Sequence, residues 1–334
     1  MENIDIKFIA KKSECSIATV SRVINRSKPV SEELQKRVID TIRKYNYNPS
    51  IYAQNLAGKK SRLLGFIMTN YINQYQLLLF RYLNEFACKM GYGCIIRYCN
   101  SGFEEKLEVL RELEIRGIEV CFSLFLLSQE EEAYIKEHFR IKVCHMQSPE
   151  MRLNIIEKNE SSVYEAVCYL AQLGHKRIGG IFCIDEIDDS FLMAGFLKAI
   201  SQINLDQDES LIGQLHGECE KDSVISVIEK IFVPQKPPTA LFCYSDEVAI
   251  EVMSWIMKQG YRIPEDISVL SFDGIPFAGR VTPSLSTISQ PVEYQAKCII
   301  NGMLYLQDGI ERPCDEKGNE YLLQIRDSVG VPSH

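Results

Sequence analysis

Residues 16–25 read SIATVSRVIN, and their side chains suit contact with duplex DNA. Arg22 can pair with a guanine edge through two parallel hydrogen bonds. The carbon surfaces of Ile17 and Ala18 can meet a thymine methyl. Ser16, Thr19, Ser21 and Asn25 have the length to hold phosphates, which fix register without reading sequence. The alternative is a small solvated helical bundle with scattered hydroxyls. A second set follows apolar runs far along the chain: Asn70, Asn73 and Tyr75, then Ser245 and Asp246, then Asp273 and Gln290. Carboxylates and amides there can take paired hydrogen bonds from hydroxyl-rich ligands such as sugars. Against that stand a helix cap for Asp246 and a plain turn for Asp273.

Elements must present both sets. Ile6, Ile9 and Ala10 form a short stripe ending near Lys12, and SECS breaks it. Ser16 caps a helix over 17–25 with Val20, Val23 and Ile24 inward, which leaves Ala18, Arg22 and Asn25 on the outer face. Ser31 caps a third helix whose buried side carries Leu34, Val38 and Ile42, with Glu32 and Glu33 in its first turn. Two short helices joined by a tight turn and covered by a third predict a helix-turn-helix. Residues 47–61 then hold a short capped helix that stops at Gly58 and runs into Lys59, Lys60 and Arg62. A helix that short is marginal in water.

Past Arg62 the rhythm becomes strand, helix, strand. The runs LLGFIMT, YGCIIRYC, IEVCFSLF, IKVCHM and LNIIE read as strands. After a long helix so do IGGIFC, TALFCY and ISVLSFD. Near-continuous apolar strands separated by helices predict parallel sheets covered on both faces. The alternation restarts once, so we expect an all-α headpiece followed by an α/β core of two doubly wound subdomains. A ligand cleft is expected beyond the carboxyl ends of the strands.

Charge is divided unevenly. Residues 1–62 carry thirteen Lys/Arg against six Asp/Glu, whereas the whole chain of 334 residues has a net charge of −8. A basic end on an acidic body hints at nucleic acid bound at that end. The start MENIDIKFIAKKS lacks a basic-then-apolar signal pattern, and no apolar run approaches a membrane span, so a cytoplasmic location is expected. The twelve cysteines include no CxxC pair and are expected to be reduced thiols in a cytosolic protein. No metal and no cofactor are expected. GxGxxG, GxxxxGK[ST], GxSxG and HExxH are all missing, so no enzyme is expected. His175, in LGHKRI, reads as structural, Trp255 as core, and the acidic run 185–189 as a solvated face.

IATVSRVIN, VSEELQKRV, YNPS and AQNLAGKKS, in that order and spacing, closely resemble the lactose-repressor (LacI/GalR) family of bacterial transcription regulators. LGHKRIGGI, AGFLKAI, PPTALFCYSDEVAIEVM, GYRIPEDISVLSFDG and PSLSTISQPV are similar to its effector-binding core, which is itself similar to periplasmic sugar-binding proteins. The resemblance implies base reading by Ile17, Ala18 and Arg22. It implies a hinge helix in 49–61 that lays Ala53, Asn55, Leu56, Ala57 and Lys59 at the minor groove, with Leu56 as the wedge. It also implies that Asp246, Asp273 and Gln290 line the effector cleft. The domains it implies are 1–48, 49–61 and 62–334. Within the last, 62–157 and 291–320 make the first subdomain, and 158–290 and 321–334 the second. A homodimer on near-palindromic operator DNA and a small-molecule effector, a sugar or related metabolite, are expected, with repression as the implied sense of regulation.

Four departures accompany the match. Glu14 stands where the family has a turn glycine, and Phe8 where it has an aspartate. Leu192 replaces an effector-binding arginine, and NQYQ (73–76) replaces the frequent NPFF. Leucine has no guanidinium fork, which leaves open a more apolar ligand, a different sugar pose, or control by a protein co-regulator without a small effector. A cytosolic solute-binding protein is the alternative from another class.

Overall fold

The computed structural model describes residues 4–25, 29–47, 61–70, 73–100, 102–183, 187–215, 221–232, 236–314 and 317–333. The chain divides into two compact units, 1–61 and 62–334.

In the first unit the described helices are α1 (Ile6–Lys12), α2 (Ile17–Asn25) and α3 (Glu32–Lys44). Ile9, Ala10, Val20, Val23 and Val38 form its core, with Phe8, Ile24, Ile39, Ile42 and Tyr45 packed around them. Burying a valine contributes roughly 1.5–3 kcal/mol, so these few side chains hold the three helices. Ser31 occupies the N-cap position of α3, yet its side chain makes no capping bond. The expected hydroxyl cap is therefore corrected to a positional one.

The second unit contains two sheets. The first has the order β2-β1-β3-β4, all parallel: β1 (Leu63–Thr69), β2 (Gly93–Cys99), β3 (Val120–Ser123) and β4 (Lys142–Cys144). The helices between them are α4 (Gln74–Lys89), α5 (Phe103–Ile115) and α6 (Gln129–His138). Side chains alternate across a strand. Leu64, Phe66 and Phe122 thus pack with Leu79 and Leu83 on one face, and Ile67 and Cys121 with Leu107 and Leu110 on the other.

The second sheet has the order β10-β9-β8-β7-β5-β6. Its strands are β5 (Ile178–Cys183), β6 (Ile212–Leu215), β7 (Ala240–Cys243), β8 (Ser268–Asp273), β9 (Ser286–Ser289) and β10 (Leu322–Gln324). All neighbours are parallel except β9 and β10. Its helices are α7 (Ile155–Gln172), α8 (Ile187–Gln202), α9 (Lys221–Phe232) and α10 (Asp246–Lys258). α7 and α8 approach closely because Gly195 has no side chain. A Cβ there would lie 2.2 Å from the Glu160 carbonyl oxygen.

One strand expectation fails. LNIIE is not a strand: Ile155 opens α7, and Ile155, Asn159, Val163, Ala166 and Leu170 bury a helical stripe. Three apolar residues interrupted by Asn154 were too few to separate the two readings, and the periodicity downstream decides it. β6 and β9, four residues each, lacked the apolar continuity that marked the others.

The chain passes repeatedly between the two sheets. α11 (Val292–Asp308) follows β9 of the second sheet but buries Ile299, Ile300 and Met303 in the core of the first. β10 then returns to pair with β9.

Candidate nucleic-acid interface and effector cleft

The recognition segment is built by its turn. α1 ends with Glu14 at φ +49°, where the Glu14 N–H bonds the Lys11 carbonyl and the Cys15 N–H bonds the Ala10 carbonyl. These paired bonds are a Schellman termination, in which the left-handed residue is ordinarily glycine. Ser13 Oγ donates to the Ile9 carbonyl at 2.6 Å and fixes the turn from inside. Ser16 then caps α2: its Oγ accepts from the Thr19 N–H at 3.1 Å and shares a hydrogen with Thr19 Oγ1 at 2.9 Å. Phe8 packs edge-on against Tyr45, centroids 5.0 Å apart, with the Lys12 ammonium 5.5 Å from its ring centre. An aromatic residue there replaces the polarity of an aspartate with a contact that ties α1 to the end of α3.

With Val20 and Val23 drawn inward, the opposite side of α2 is open. Ser16, Ala18 and Arg22 are exposed, and Ile17, at 45% exposure, is a large apolar side chain left to solvent. Ala18 and Arg22 are four residues apart and share a face. Thr19 and Ser21 are half-buried at its margins. Asn25 ends α2, and its side chain lies outside the described residues. The hinge positions Ala53, Asn55, Leu56, Ala57 and Lys59 also lie outside them.

In the α/β unit the expected cleft residues separate into three kinds. The first is made of helix caps. Asn73 Oδ1 accepts from the Gln76 N–H at 2.8 Å and starts α4. Ser245 Oγ accepts from the Val248 N–H at 3.3 Å and starts α10. The second is core. Asp246 is fully buried: one carboxylate oxygen accepts from Ser271 Oγ (2.5 Å) and Thr287 Oγ1 (2.6 Å), the other from the Ile275 N–H (2.7 Å). It thereby ties α10 to β8 and β9. Burial pushes its carboxyl up, while those hydrogen bonds pull the other way. Leu192, 3% exposed, packs in the core formed with Phe182 and Phe196.

The third kind is a connected polar chain. Asp273 ends β8 at φ +119°, an unusual backbone for a side-chain-bearing residue. Its carboxylate accepts from Gln290 Nε2 at 3.0 Å. Gln290 Oε1 accepts from Gln295 Nε2 at 3.1 Å, and Gln295 Oε1 accepts from the Tyr75 hydroxyl at 2.8 Å. Gln295 Nε2 also donates to the Tyr321 hydroxyl at 3.2 Å. The chain thus runs from the second sheet through α11 to α4 beside the first, and Tyr75 packs against a core on each side. Gly274, next to Asp273 and at φ +74°, lets this turn close onto β9: a Cβ would lie 2.4 Å from Ser289 Cα. A second link crosses nearby, where the Gln74 N–H at the start of α4 donates to Glu247 Oε1 on α10 at 3.0 Å. Asn70 lies outside the network and donates to Asn100 Oδ1 at 2.8 Å. Gln295, Tyr321 and Glu247 escaped the sequence reading. Gln295 had one legible signal, a glutamine in line with the apolar stripe of α11.

Residues 5–50 match the profile of bacterial regulatory proteins, lacI family, and residues 167–329 match that of a periplasmic binding protein-like domain. The chain is 33% identical over 301 residues to the HTH-type transcriptional repressor PurR of Vibrio cholerae serotype O1 (strain M66-2), covering 86% of each protein. The chain belongs to the lacI family of bacterial regulatory proteins. PurR of Aliivibrio salmonicida (strain LFI1238) is 30% identical over 307 residues, covering 90% of this chain and 91% of that one. Among solved structures, the Lac repressor dimer bound to operator and the anti-inducer ONPF superposes with a TM-score of 0.81 at 20% identity, covering 98% of this chain and all of that one. As a family member the protein is a DNA-binding transcription regulator. Its two units have the form that this work requires: a helix-turn-helix and a two-sheet α/β body.

Proposed function

We propose that the protein is a dimeric transcriptional repressor. Its α2 face reads a near-palindromic operator, and a small effector in the cleft of its α/β unit sets its affinity for that operator. The carrying observation is the solvent-open Ile17, Ala18 and Arg22 face on a helix whose other side is locked into a core. The relatives named as repressors and the Lac repressor dimer on operator support the same reading. Ser16, Thr19, Ser21 and Asn25 hold phosphates. Ala53, Asn55, Leu56, Ala57 and Lys59 form the hinge in the minor groove, where Leu56 unstacks a base step. On this reading the protein works in the cytoplasm as a regulator rather than an enzyme, and among the described residues no group of three or more His, Cys, Asp or Glu is placed to hold a metal ion.

The effector side rests on Asp273, Gln290 and Tyr75, with Asn70, Asn73, Ser245 and Asp246 shaping the strand ends. Leu192 brings no guanidinium, so the fixed charge supplied by this set is negative. An uncharged ligand rich in hydrogen-bond donors, such as a sugar or nucleobase, fits it better than an anion. Ligand in contact with the Asp273–Gln290–Gln295–Tyr75 chain biases the two sheets toward one arrangement. It can do so only by as much as its affinities for the two arrangements differ.

Selection of bound sequences from random duplex DNA tests the reading. Recovery of two inverted half-sites is expected, and recovery of a single unpaired site sinks it. Control by a protein co-regulator is the second reading. It is favoured by an open cavity of about 570 Å³ where Leu78, Tyr82 and Phe86 of α4 face Tyr294 and Lys297 of α11. A thermal-shift screen of sugars, nucleosides and nucleobases separates the two: a hit that also changes DNA binding excludes the co-regulator version.

A further inference from the structure

Cys298 and Cys314 meet in a part of the fold that neither DNA reading nor the cleft network uses. Cys298 lies on α11 and is almost wholly buried, while Cys314 is half-buried on the connection that carries the chain from α11 back to β10. Cys314 sits over the turn of α11 that carries Cys298, held there through Asn301, three residues on from Cys298 along the helix. Asn301 Nδ2 donates to Cys314 Sγ at 3.4 Å. Both sulfurs line a cavity of about 440 Å³, bounded also by Tyr294, Asn301 and Arg152, through which a small oxidant can reach them.

The electrostatics of Cys314 differ from those of Cys94, Cys121, Cys144 and Cys243. Burial pushes the thiols of Cys121, Cys144 and Cys243 up, and Cys94 reaches about 12. Cys314 moves the other way, down to about 7. The hydrogen bond from Cys298 is the largest cause, and burial opposes it. The Asn301 amide and the positive charges of Lys297 and Arg152 add to the lowering. A thiolate is the nucleophilic form.

We propose that Cys298 and Cys314 are a peroxide-sensitive pair that closes to a reversible disulfide and pins the returning connection to α11. The thiolate of Cys314 attacks hydrogen peroxide: an S–O bond forms, the O–O bond breaks, and the departing hydroxide takes a proton to become water. The Cys298 sulfur then attacks the sulfenic sulfur. The S–S bond forms and the S–O bond breaks, and the released hydroxide leaves as a second water with the Cys298 proton. Two thiols and one peroxide give one disulfide and two waters, and a dithiol reductant reverses the change. Fifteen residues lie between the cysteines, and closing that loop removes freedom from the unfolded chain.

Trypsin leaves both cysteines in one peptide, 298–317, because Pro313 protects the bond after Arg312. Full-length protein treated with equimolar hydrogen peroxide is expected to lose two hydrogens from that peptide and to regain them with dithiothreitol. The oxidised chain is expected to melt higher than the reduced one. Cys314→Ser and Cys298→Ser each remove both effects, and Cys88→Ser, at an exposed surface thiol, removes neither. Sulfinic acid at Cys314 with Cys298 still a thiol overturns the pair, as does oxidation of Cys88 ahead of peptide 298–317.

Discussion

At the scale of single residues, the exposed side of α2 is specified by very few groups. Arg22 is its cation and Ile17 its large apolar contact. Arg22→Ala is expected to cost about 1–3 kcal/mol of operator binding while leaving the salt-dependent, sequence-independent component in place. Fluorescence anisotropy on specific and scrambled duplexes distinguishes the two, and an equal loss on both would remove Arg22 from base reading. Glu14, at φ +49°, holds a left-handed turn that glycine adopts without strain. Glu14→Gly should therefore stabilise the helical unit by about 1 kcal/mol, read from its thermal or urea melt. His175 is buried, its Nδ1 2.9 Å from Thr239 Oγ1 and its Nε2 2.9 Å from the Gly330 carbonyl. Burial disfavours the imidazolium and lowers its pKa from 6.5. The stability it contributes is therefore present above pH 6.5 and lost as pH falls through the lower folded value. The melting-temperature gap between wild type and His175→Asn should be widest at neutral pH and narrow on acidification; a gap independent of pH refutes the assignment.

At the scale of elements, the link between the two sheets is carried by helix starts and strand ends. α4 begins with Asn73 as its cap, gives its Gln74 N–H to Glu247 on α10 and its Tyr75 hydroxyl to Gln295 on α11. One turn of helix therefore senses both other helices. Glu247→Ala removes a hydrogen bond to a charged group across that junction, worth on the order of 1 kcal/mol at a half-exposed site. Small-angle scattering of the free protein should shift toward a more open α/β unit, and an unchanged profile would show that the bond does not restrain the sheets. The elements were legible where apolar runs were long: the bounds of β1 agree with the run LLGFIMT, and α10 opens at Asp246, although its cap is Ser245 and not the aspartate. They were illegible where a short strand lacks a continuous apolar run, as in IGQL of β6 and STIS of β9.

At the scale of the whole molecule, the proposed function depends on bringing two copies of a small basic unit to one duplex. A single exposed helix face offers too few base contacts for strong selectivity, and a two-fold dimer doubles them with a fixed spacing. On the proposed dimer reading, inserting five base pairs, about half a helical turn, between the half-sites should reduce binding to the level of scrambled DNA. Sedimentation of the complex with two chains per duplex is the accompanying expectation. Retained affinity after the insertion would mean that the copies act independently.

The sequence by itself determined the parts that depend on local pattern. These are a helix-turn-helix with Ile17, Ala18 and Arg22 outward, a basic end on an acidic body, and apolar strands alternating with helices. Periodicity and caps act over a few residues, so their signals survive in one dimension. Only the tertiary structure decided what the strand-end polar groups do. Asp246 and Asp273 follow similar apolar strands, yet one is buried beneath Ser271 and Thr287 while the other starts a hydrogen-bond chain to Gln290, Gln295 and Tyr75. Those partners lie up to 220 positions apart in sequence, and a polar group's role is set by which partners the fold brings within hydrogen-bond reach.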